Sequence, residues 1–521
     1  MHLCTDFSRI ASASQQFTMP ADPHLVLLLV LPTANRQHLP SMSFARILRS
    51  SALMGGAQAV TLAMAFLRAK LIAVLIGPSG IGLMGVFNAF NSNLSTVAGW
   101  GLGTSAVRTV AGAAEGERER KVAAVRHFGR RLAWAGLFGV LLLVLPVGYF
   151  TFKSQDYALE LLIAGVAVPC VVATGMWTSL LQAGGHIGSM AKTQMASSVV
   201  GLLLGLPFIY FFGSVGIALS ILIAAFATAL VTWRAATTLS PVTSSKPTPD
   251  DLRELVHLGI ALQIGAIFGA ISTYLIRVLI LRSHGDDLAA GLADAGFYQA
   301  AFAVTGSLPG VIFSATSSDF YPRVAAAKDE DEARFITEKQ IQASLLLAMP
   351  ILVGLLTMGP LAVRLLYAKG FEPASPLLEW FLWAIFCFLV GWPLGLWVMA
   401  RRAKRLVAFS QLVLGLSGLA LGVFLVPLLG VRGAAIAYFG NAAIYAVTLL
   451  VMLRSDAGRW ISPKTAVLIA ACAAWLAVAK LAILEAGSVY WGAIPTAATA
   501  IVCASLYLRA TAGANAEEDA R

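Results

Sequence analysis

Four basic side chains lie in stretches of the sequence that are otherwise apolar enough to enter a membrane: Arg68, Lys70, Arg108 and Arg277. A charge at the centre of a bilayer costs about 2.5–3.5 kcal/mol on insertion scales, so a chain keeps one there when it faces a cavity or a partner. Cations at such a depth can hold an anionic group such as a phosphate through charge-assisted hydrogen bonds. These four residues are therefore the first candidates for a binding site.

The alternative is that such side chains snorkel, because Arg and Lys near a helix end can reach the headgroups at little cost. We favour snorkelling for Arg364 and Lys480, and a binding role for Arg277. Both interpretations stay open for the other three cations, which lie closer to predicted helix ends.

Side-chain amides accompany two of these stretches. Asn88 and Asn91 follow Lys70 along the chain, and Gln263 precedes Arg277. Amides within a membrane either hold helices together or contact a polar ligand. Because Asn88, Asn91 and the nearby Asn93 cover a wide arc of one helix, we favour the lining of a hydrated cavity.

The composition places these residues in a membrane protein, since 58% of the chain is hydrophobic and only 12% is charged. The net charge of +11 is expected to come from loops on one side of the membrane rather than from a nucleic-acid surface. The cysteines and histidines are scattered, so the sequence predicts neither a metal site nor a cofactor. The glycine-rich stretches lack the lysine of a phosphate-binding loop, so no nucleotide site is expected.

Apolar runs of about 20 residues, separated by short polar breaks, predict an all-α polytopic membrane protein with about 14 transmembrane helices. Span two is predicted over about 80–111, span four over about 157–184, and spans five and six are predicted to meet at Gly213. The loop lysines and arginines fall almost entirely on the side of the two ends of the chain, which predicts that both termini are cytoplasmic.

The predicted spans divide the chain into six parts. They are an extension (1–41) that is disordered or arises from an upstream start codon, an N-terminal six-helix lobe (43–235), a cytoplasmic linker (236–252), a C-terminal six-helix lobe (253–455), an extra helix pair (463–509) and a cytoplasmic tail (510–521).

The two lobes are predicted to be repeats of one another. The stretch GIGLMGVFNAF in span two and the stretch DAGFYQAAFAV in span eight each lead into a basic residue, Val-Ala and a loop of mixed charge. Two six-helix halves joined by a polar linker form a known transporter plan, in which the halves move around a central site.

Three stretches of the sequence resemble O-antigen translocases, the lipid-linked oligosaccharide flippases of the polysaccharide transporter family. They are AKLIAVLIGPSGIGLMGVFNAF, GFYQAAFAVTGSLPGVIFSATSSDFYPRVA and VGWPLGLWVMARRAKRLVAFSQLV, within a similarity that covers about residues 43–455. The family belongs to the superfamily of multidrug-and-toxin exporters and the lipid II flippase. The resemblance implies two six-helix lobes in a V around a central cavity, plus the C-terminal helix pair. It also implies that Lys70 and Arg277 match basic residues of such flippases.

The expected function is translocation of an undecaprenyl-diphosphate-linked oligosaccharide, such as an O-antigen unit for lipopolysaccharide, across the inner membrane of a bacterial cell. Membrane lipids, the polysaccharide polymerase machinery and a coupling ion, H⁺ or Na⁺, are the expected partners. A multidrug-type cation antiporter or a lipid II flippase is the alternative, although mostly basic residues at depth suit organic cations poorly. A membrane polymerase or ligase is disfavoured because the predicted outer loops are short, so no enzymatic activity is expected.

Overall fold

The computed structural model describes residues 44–114, 116–239, 247–401, 404–457, 461–486 and 492–519. All regular secondary structure in these residues is helical, which confirms the all-α class. The helices are α1 (Phe44–Leu75), α2 (Pro78–Gly99), α3 (Leu102–Ala111), α4 (Arg118–Phe152), α5 (Ala158–Gly165), α6 (Ala167–Ala183), α7 (Ile187–Leu239), α8 (Pro249–Arg282), α9 (Leu288–Ala326), α10 (Glu330–Leu366), α11 (Ser375–Arg401), α12 (Lys404–Ala457), α13 (Pro463–Ala486) and α14 (Ala493–Asp519), with one 3-10 turn at Glu372–Ala374. The predicted extension 1–41 lies outside the described residues.

Among the described residues, seven helices and the pair α5–α6 taken together are long and apolar enough to cross a membrane, so the protein is a multi-pass membrane protein. The helices α2, α8 and α9 carry Asn88, Arg277 and Gln299, respectively.

Two of the long helices are hairpins of two spans each. In α7 the backbone of Gly213 has a φ of 55°, and in α12 that of Gly430 has a φ of 58°. Glycine adopts this left-handed conformation without a steric penalty. The chain then folds back on itself, so that Gly205 lies against Ser220 and Ser417 bonds to Asn441. The predicted hinge at Gly213 is confirmed.

One predicted span is divided in the structure. Span two breaks at Trp100 and Gly101, which both have left-handed backbone conformations (φ 47° and 67°), into α2 and α3. Span four is present as predicted, over Ala158–Ala183, and the backbone of Val166 between α5 and α6 stays in the right-handed helical region. The ring nitrogen of Pro169, three residues into α6, cannot donate to the helix ladder.

The helices α2 and α9 cross at two glycines with a symmetric pattern of contacts. A Cβ atom on Gly82 would overlap the carbonyl oxygen of Leu292, and one on Gly296 would overlap that of Pro78. Gly296 therefore makes against α2 the same contact that Gly82 makes against α9, which is the pattern of an isologous interface. This is the arrangement expected of the predicted repeat, in which Gly82 corresponds to Gly296.

The last two helices pack on the C-terminal half of the chain. The carboxylate of Glu338 on α10 accepts hydrogen bonds from the backbone of Ser462 (2.7 Å) and the hydroxyl of Thr465 (3.2 Å). Lys480 on α13 forms an ion pair with Glu379 on α11. Lys480 was predicted to snorkel, but it has an acidic partner in the protein.

Candidate functional site

A cavity of about 290 Å³ lies between α2, α8 and α9. The α2 wall carries short polar side chains, the α8 wall carries Thr273 and Arg277, and the α9 wall carries Gln299 and Phe302. A second cavity of about 200 Å³ shares Gly269 and Thr273 with the first and extends to α12. Side-chain amides and hydroxyls on α2 and α8 favour a hydrated space between these helices.

Arg277 is the charged residue of this cavity and is only 5% exposed. Its guanidinium donates to the side-chain oxygen of Gln299 (2.8 Å) and to the backbone oxygen of Thr273 (2.9 Å). The same group lies 5.5 Å from the ring centres of both Tyr298 and Phe302, within range of a cation–π interaction. Neutral partners therefore fix its direction without cancelling its charge.

No carboxylate among the described residues lies within ion-pairing distance of Arg277, and its Nε atom has no hydrogen-bond partner among them. A buried charge without a counter-ion is costly, and the cost falls when an anion binds beside it. A guanidinium also matches the geometry of a phosphate oxygen pair. The cavity therefore favours an anionic ligand.

The backbones of the two halves approach each other closely on both sides of this cavity. On one side Gly82 meets Leu292 of α9, as described above. On the other side a Cβ atom on Gly259 would overlap the carbonyl oxygen of Trp100, and the side chain of Gln263 donates to the backbone of Thr96 (2.9 Å). The two halves of the chain thus touch both above and below the cavity.

Ion pairs join the halves at the end of the bundle where α4 and α8 begin, which we name the basic end. Arg120 on α4 lies 3.0 Å from the carboxylate of Asp251 on α8, and Lys121 lies 3.4 Å from Glu254. Asp251 also completes a capping box with Thr248 at the start of α8. Burial raises the pKa of Asp251, but hydrogen bonds from Thr248 and the charge of Arg120 outweigh burial and leave this pKa below its ordinary value.

Contacts also join the halves at the opposite end of the bundle. Lys153 at the end of α4 lies 3.7 Å from the carboxylate of Asp286, and Arg282 at the end of α8 donates to the backbone of Phe150. Polar contacts therefore join the two halves at both ends of the bundle.

The structure brings two of the predicted site residues together. Asn88 is exposed on α2 and lines the same cavity as Arg277. Gln263 lies nearer the basic end and joins α8 to α2 rather than facing this space. Asn91 is 6% exposed and accepts a hydrogen bond from Ser95 of its own helix.

The structure places the other three predicted cations away from this cavity. Arg68 donates to the hydroxyl of Ser220 (2.6 Å), which connects α1 to α7 within the N-terminal half. Lys70 donates to the backbone oxygen of Leu365 (2.8 Å) at the end of α10. Arg108 is exposed on α3. Lys70 and Arg277 therefore do not lie side by side.

Several residues of the site were not predicted, and all lie on helices of the C-terminal half. Gln299 and Phe302 hold the guanidinium of Arg277, while Tyr438 and Asn441 line the second cavity. The sequence did contain a signal for Gln299, because it occupies in span eight the repeat position of Gly85. A Cβ atom on Gly85 would lie 3.0 Å from the Gln299 side chain.

Among the described residues, no group of three or more His, Cys, Asp or Glu side chains could hold a metal ion. The chemistry that the site offers is the recognition of an anion by a guanidinium, amides and hydroxyls.

Comparisons with solved structures give the fold. A lipid II flippase, MurJ, in an inward closed conformation aligns with a TM-score of 0.70 at 13% identity, over 88% of this chain and 99% of that one. An inward-facing multidrug resistance transporter of the MATE family aligns with a TM-score of 0.58 at 14% identity, over 78% and 100%. A transporter of the MOP superfamily from Pyrococcus furiosus, reported for the reverse polarity of its binding pocket, aligns with a TM-score of 0.55 at 15% identity, over 82% and 96%. The fold is therefore that of the MOP superfamily.

No curated protein matches the chain significantly by sequence. The family model described as polysaccharide biosynthesis protein matches residues 47–328, which include α2, α8 and Arg277. The match covers more than half of the chain and the three helices that line the cavity of Asn88 and Arg277. The chain belongs to this polysaccharide biosynthesis family.

Proposed function

We propose that the protein is a flippase that moves an undecaprenyl-diphosphate-linked oligosaccharide, an O-antigen or related repeat unit, across the bacterial cytoplasmic membrane by alternating access. The observation that carries the proposal is Arg277, a buried guanidinium held by neutral groups in an amide-lined cavity between the halves of the chain. The family, which is one of polysaccharide biosynthesis, supports a saccharide-bearing cargo.

The physical problem of such a cargo is its diphosphate. Phosphate charges cannot cross hydrocarbon unaided, because their desolvation is prohibitive, and a guanidinium inside the protein offsets part of that cost. The sugar hydroxyls suit the amides and hydroxyls of α2 and α8. The polyprenyl chain remains in the bilayer beside the protein. An ion gradient, of H⁺ or Na⁺, or the membrane potential supplies the energy, and the polysaccharide polymerase machinery receives the cargo.

The same proposal places both termini in the cytoplasm of a bacterial inner-membrane protein. The basis is the one-sided distribution of loop arginines and lysines. Reporter fusions after Leu239 and after Arg509 are expected to report a cytoplasmic location. A signal from the other side at either position would contradict the proposed orientation.

The test of function is complementation of a bacterial strain that lacks its O-antigen flippase. The full-length protein is expected to restore surface polysaccharide, and purified protein in vesicles is expected to expose a fluorescent lipid-diphosphate saccharide to an external quencher. Failure in both assays, with protein present in the membrane, would contradict the proposal.

A lipid II flippase is the second candidate, because the MurJ structure aligns over most of both chains. Its cargo carries the same diphosphate, so complementation of a strain lacking that flippase distinguishes the two candidates. A multidrug-type cation antiporter is less consistent with the site, since none of the described residues that line either cavity carries a carboxylate. We propose no enzymatic activity.

A further inference from the structure

A third cavity lies at the basic end, between α4 and α6. Its volume is about 450 Å³, larger than that of either central cavity. Its polar rim consists of Arg126, His127 and Arg130 on α4, and its lining includes Trp177 of α6. None of the described residues that line it carries a carboxylate. It shares no residue with the cavity of Arg277.

The rim residues share one face of α4. Arg126 and Arg130 are four positions apart and His127 and Arg130 are three apart, so all three project towards the same groove. The guanidinium of Arg126 lies 5.4 Å from the ring centre of Trp177, which holds it over the mouth of the groove. Three basic side chains therefore converge on a space large enough for a headgroup.

The floor of the groove is apolar. It is formed by Ala133, Ala173 and Met176, and a Cβ atom on Gly129 would overlap the sulfur of Met176. The absence of a side chain at Gly129 thus brings α4 and α6 together at the base of the groove. A ligand that fills it needs one anionic part and one apolar part.

The level of the groove along α4 points to the edge of the bilayer. After Arg131 the helix has no charged residue up to Phe152, and its outward side chains Trp134 and Phe138 are 68% and 69% exposed. Large apolar side chains exposed to this degree face acyl chains in a membrane protein. Arg130 precedes Trp134 by one helical turn, or about 6 Å, which places the basic rim at the level of the headgroups.

We propose that this groove is a binding site for an anionic phospholipid of the leaflet at the basic end. The phosphate of the lipid lies between Arg126 and Arg130, and the first part of an acyl chain lies over Ala133 and Ala173. Basic pockets between transmembrane helices recognise anionic headgroups in this way, and the paired guanidinium groups suit a phosphate. A free phosphate would leave the apolar floor uncovered.

Native mass spectrometry of the purified full-length protein, titrated with phosphatidylglycerol or phosphatidylcholine, tests the site. The protein is expected to retain one phosphatidylglycerol in preference to phosphatidylcholine. The variant R126Q/R130Q is expected to lower that retention roughly tenfold, since it removes both charge-assisted contacts. The matched control is R131Q, which removes one neighbouring charge from an exposed residue outside the groove.

A second variant keeps all charges and fills the floor. Ala173→Phe is expected to expel the phospholipid as well, with an unchanged melting temperature as the check on folding. Equal retention of the two lipids, or an equal loss in R131Q, would overturn the proposal. Displacement of the lipid by inorganic phosphate at millimolar concentration would also overturn it, because the groove would then be a site for the free anion. All of these readouts are independent of transport.

Discussion

Arg277 is oriented by Gln299 and by two aromatic rings, so its removal changes the charge of the central cavity without breaking an ion pair. Arg277→Ala is expected to lower transport at least tenfold, because the diphosphate loses a charge-assisted contact. Protein abundance is expected to be unchanged. Arg277→Lys is expected to restore transport only in part, since an ammonium lacks the two-pronged geometry of a guanidinium.

The measurement is complementation with a blot for protein level, and Arg364→Ala is the control. Arg364 is exposed near the end of α10, so its replacement is expected to be tolerated. Full transport by Arg277→Ala at normal abundance would contradict the role of this residue.

At this scale the sequence predicts which residue types line the cavity better than which individual residues do so. Arg277 and Asn88, which both carry polar groups within apolar stretches, line one cavity, and their role in binding stays a prediction. Gln299 was not singled out, since its role depends on the packing of α9 against α8. The contact of Lys70 could not be predicted from the sequence either, because its acceptor is a backbone oxygen 295 residues away along the chain.

The crossing of α2 and α9 depends on the absence of side chains at two positions. Gly82→Ala is expected to destabilise the protein by about 1–3 kcal/mol, because the new methyl group overlaps backbone atoms that cannot rotate away. Gly56→Ala on α1 is the control, as no atom lies within 4 Å of its added Cβ. In thermal unfolding in detergent, Gly82→Ala is expected to lower the melting temperature and Gly56→Ala to leave it unchanged. Equal melting temperatures would show that the helices can move apart without cost.

The C-terminal helix pair is attached in part by the ion pair of Lys480 and Glu379, whose side chains are 26% and 37% exposed. Lys480→Met leaves the Glu379 carboxylate without its partner. The double variant K480M/E379Q is therefore expected to lose less unfolding free energy than the sum of the losses in the two single variants. A double-mutant cycle of unfolding free energies is expected to give a coupling above about 0.5 kcal/mol. Additive effects would mean that the pair contributes nothing to the attachment.

The elements themselves follow from simple sequence rules more often than their breaks do. Gly213 ends one span and begins the next, as its position between two apolar runs predicts. The break at Trp100 was missed, because a tryptophan in a left-handed conformation has no local signal and is held by the approach of Gly259.

For the molecule as a whole, the ion pairs at the basic end are expected to hold the two halves together at neutral pH. The pKa of Asp251 lies below its ordinary value, so its stabilising contribution is present above the ordinary carboxylate pKa and is lost as the pH falls through the lowered value. Spin-label distances between the starts of α4 and α8 are expected to be equal at pH 8 and pH 5. Asp251→Asn is expected to widen them at both pH values.

The control for this measurement is Asp250→Asn, which replaces the neighbouring acid in the first turn of α8. A distance that changes between pH 8 and pH 5 in the unaltered protein would contradict the assignment of the closure to Asp251. The repeat predicted from the sequence anticipates contacts between equivalent helices, but it carries no information about which ends touch.

The small size of the two central cavities has a consequence for the proposed transport. They measure about 290 and 200 Å³, whereas sites for drug-sized ligands measure roughly 300–1,000 Å³. An oligosaccharide of several sugars does not fit within cavities of this size. On the proposed function, this arrangement corresponds to the carrier without its cargo, in which the two halves contact each other at both ends of the bundle. On the same proposal, a bound cargo holds the halves apart and itself fills the gap between them.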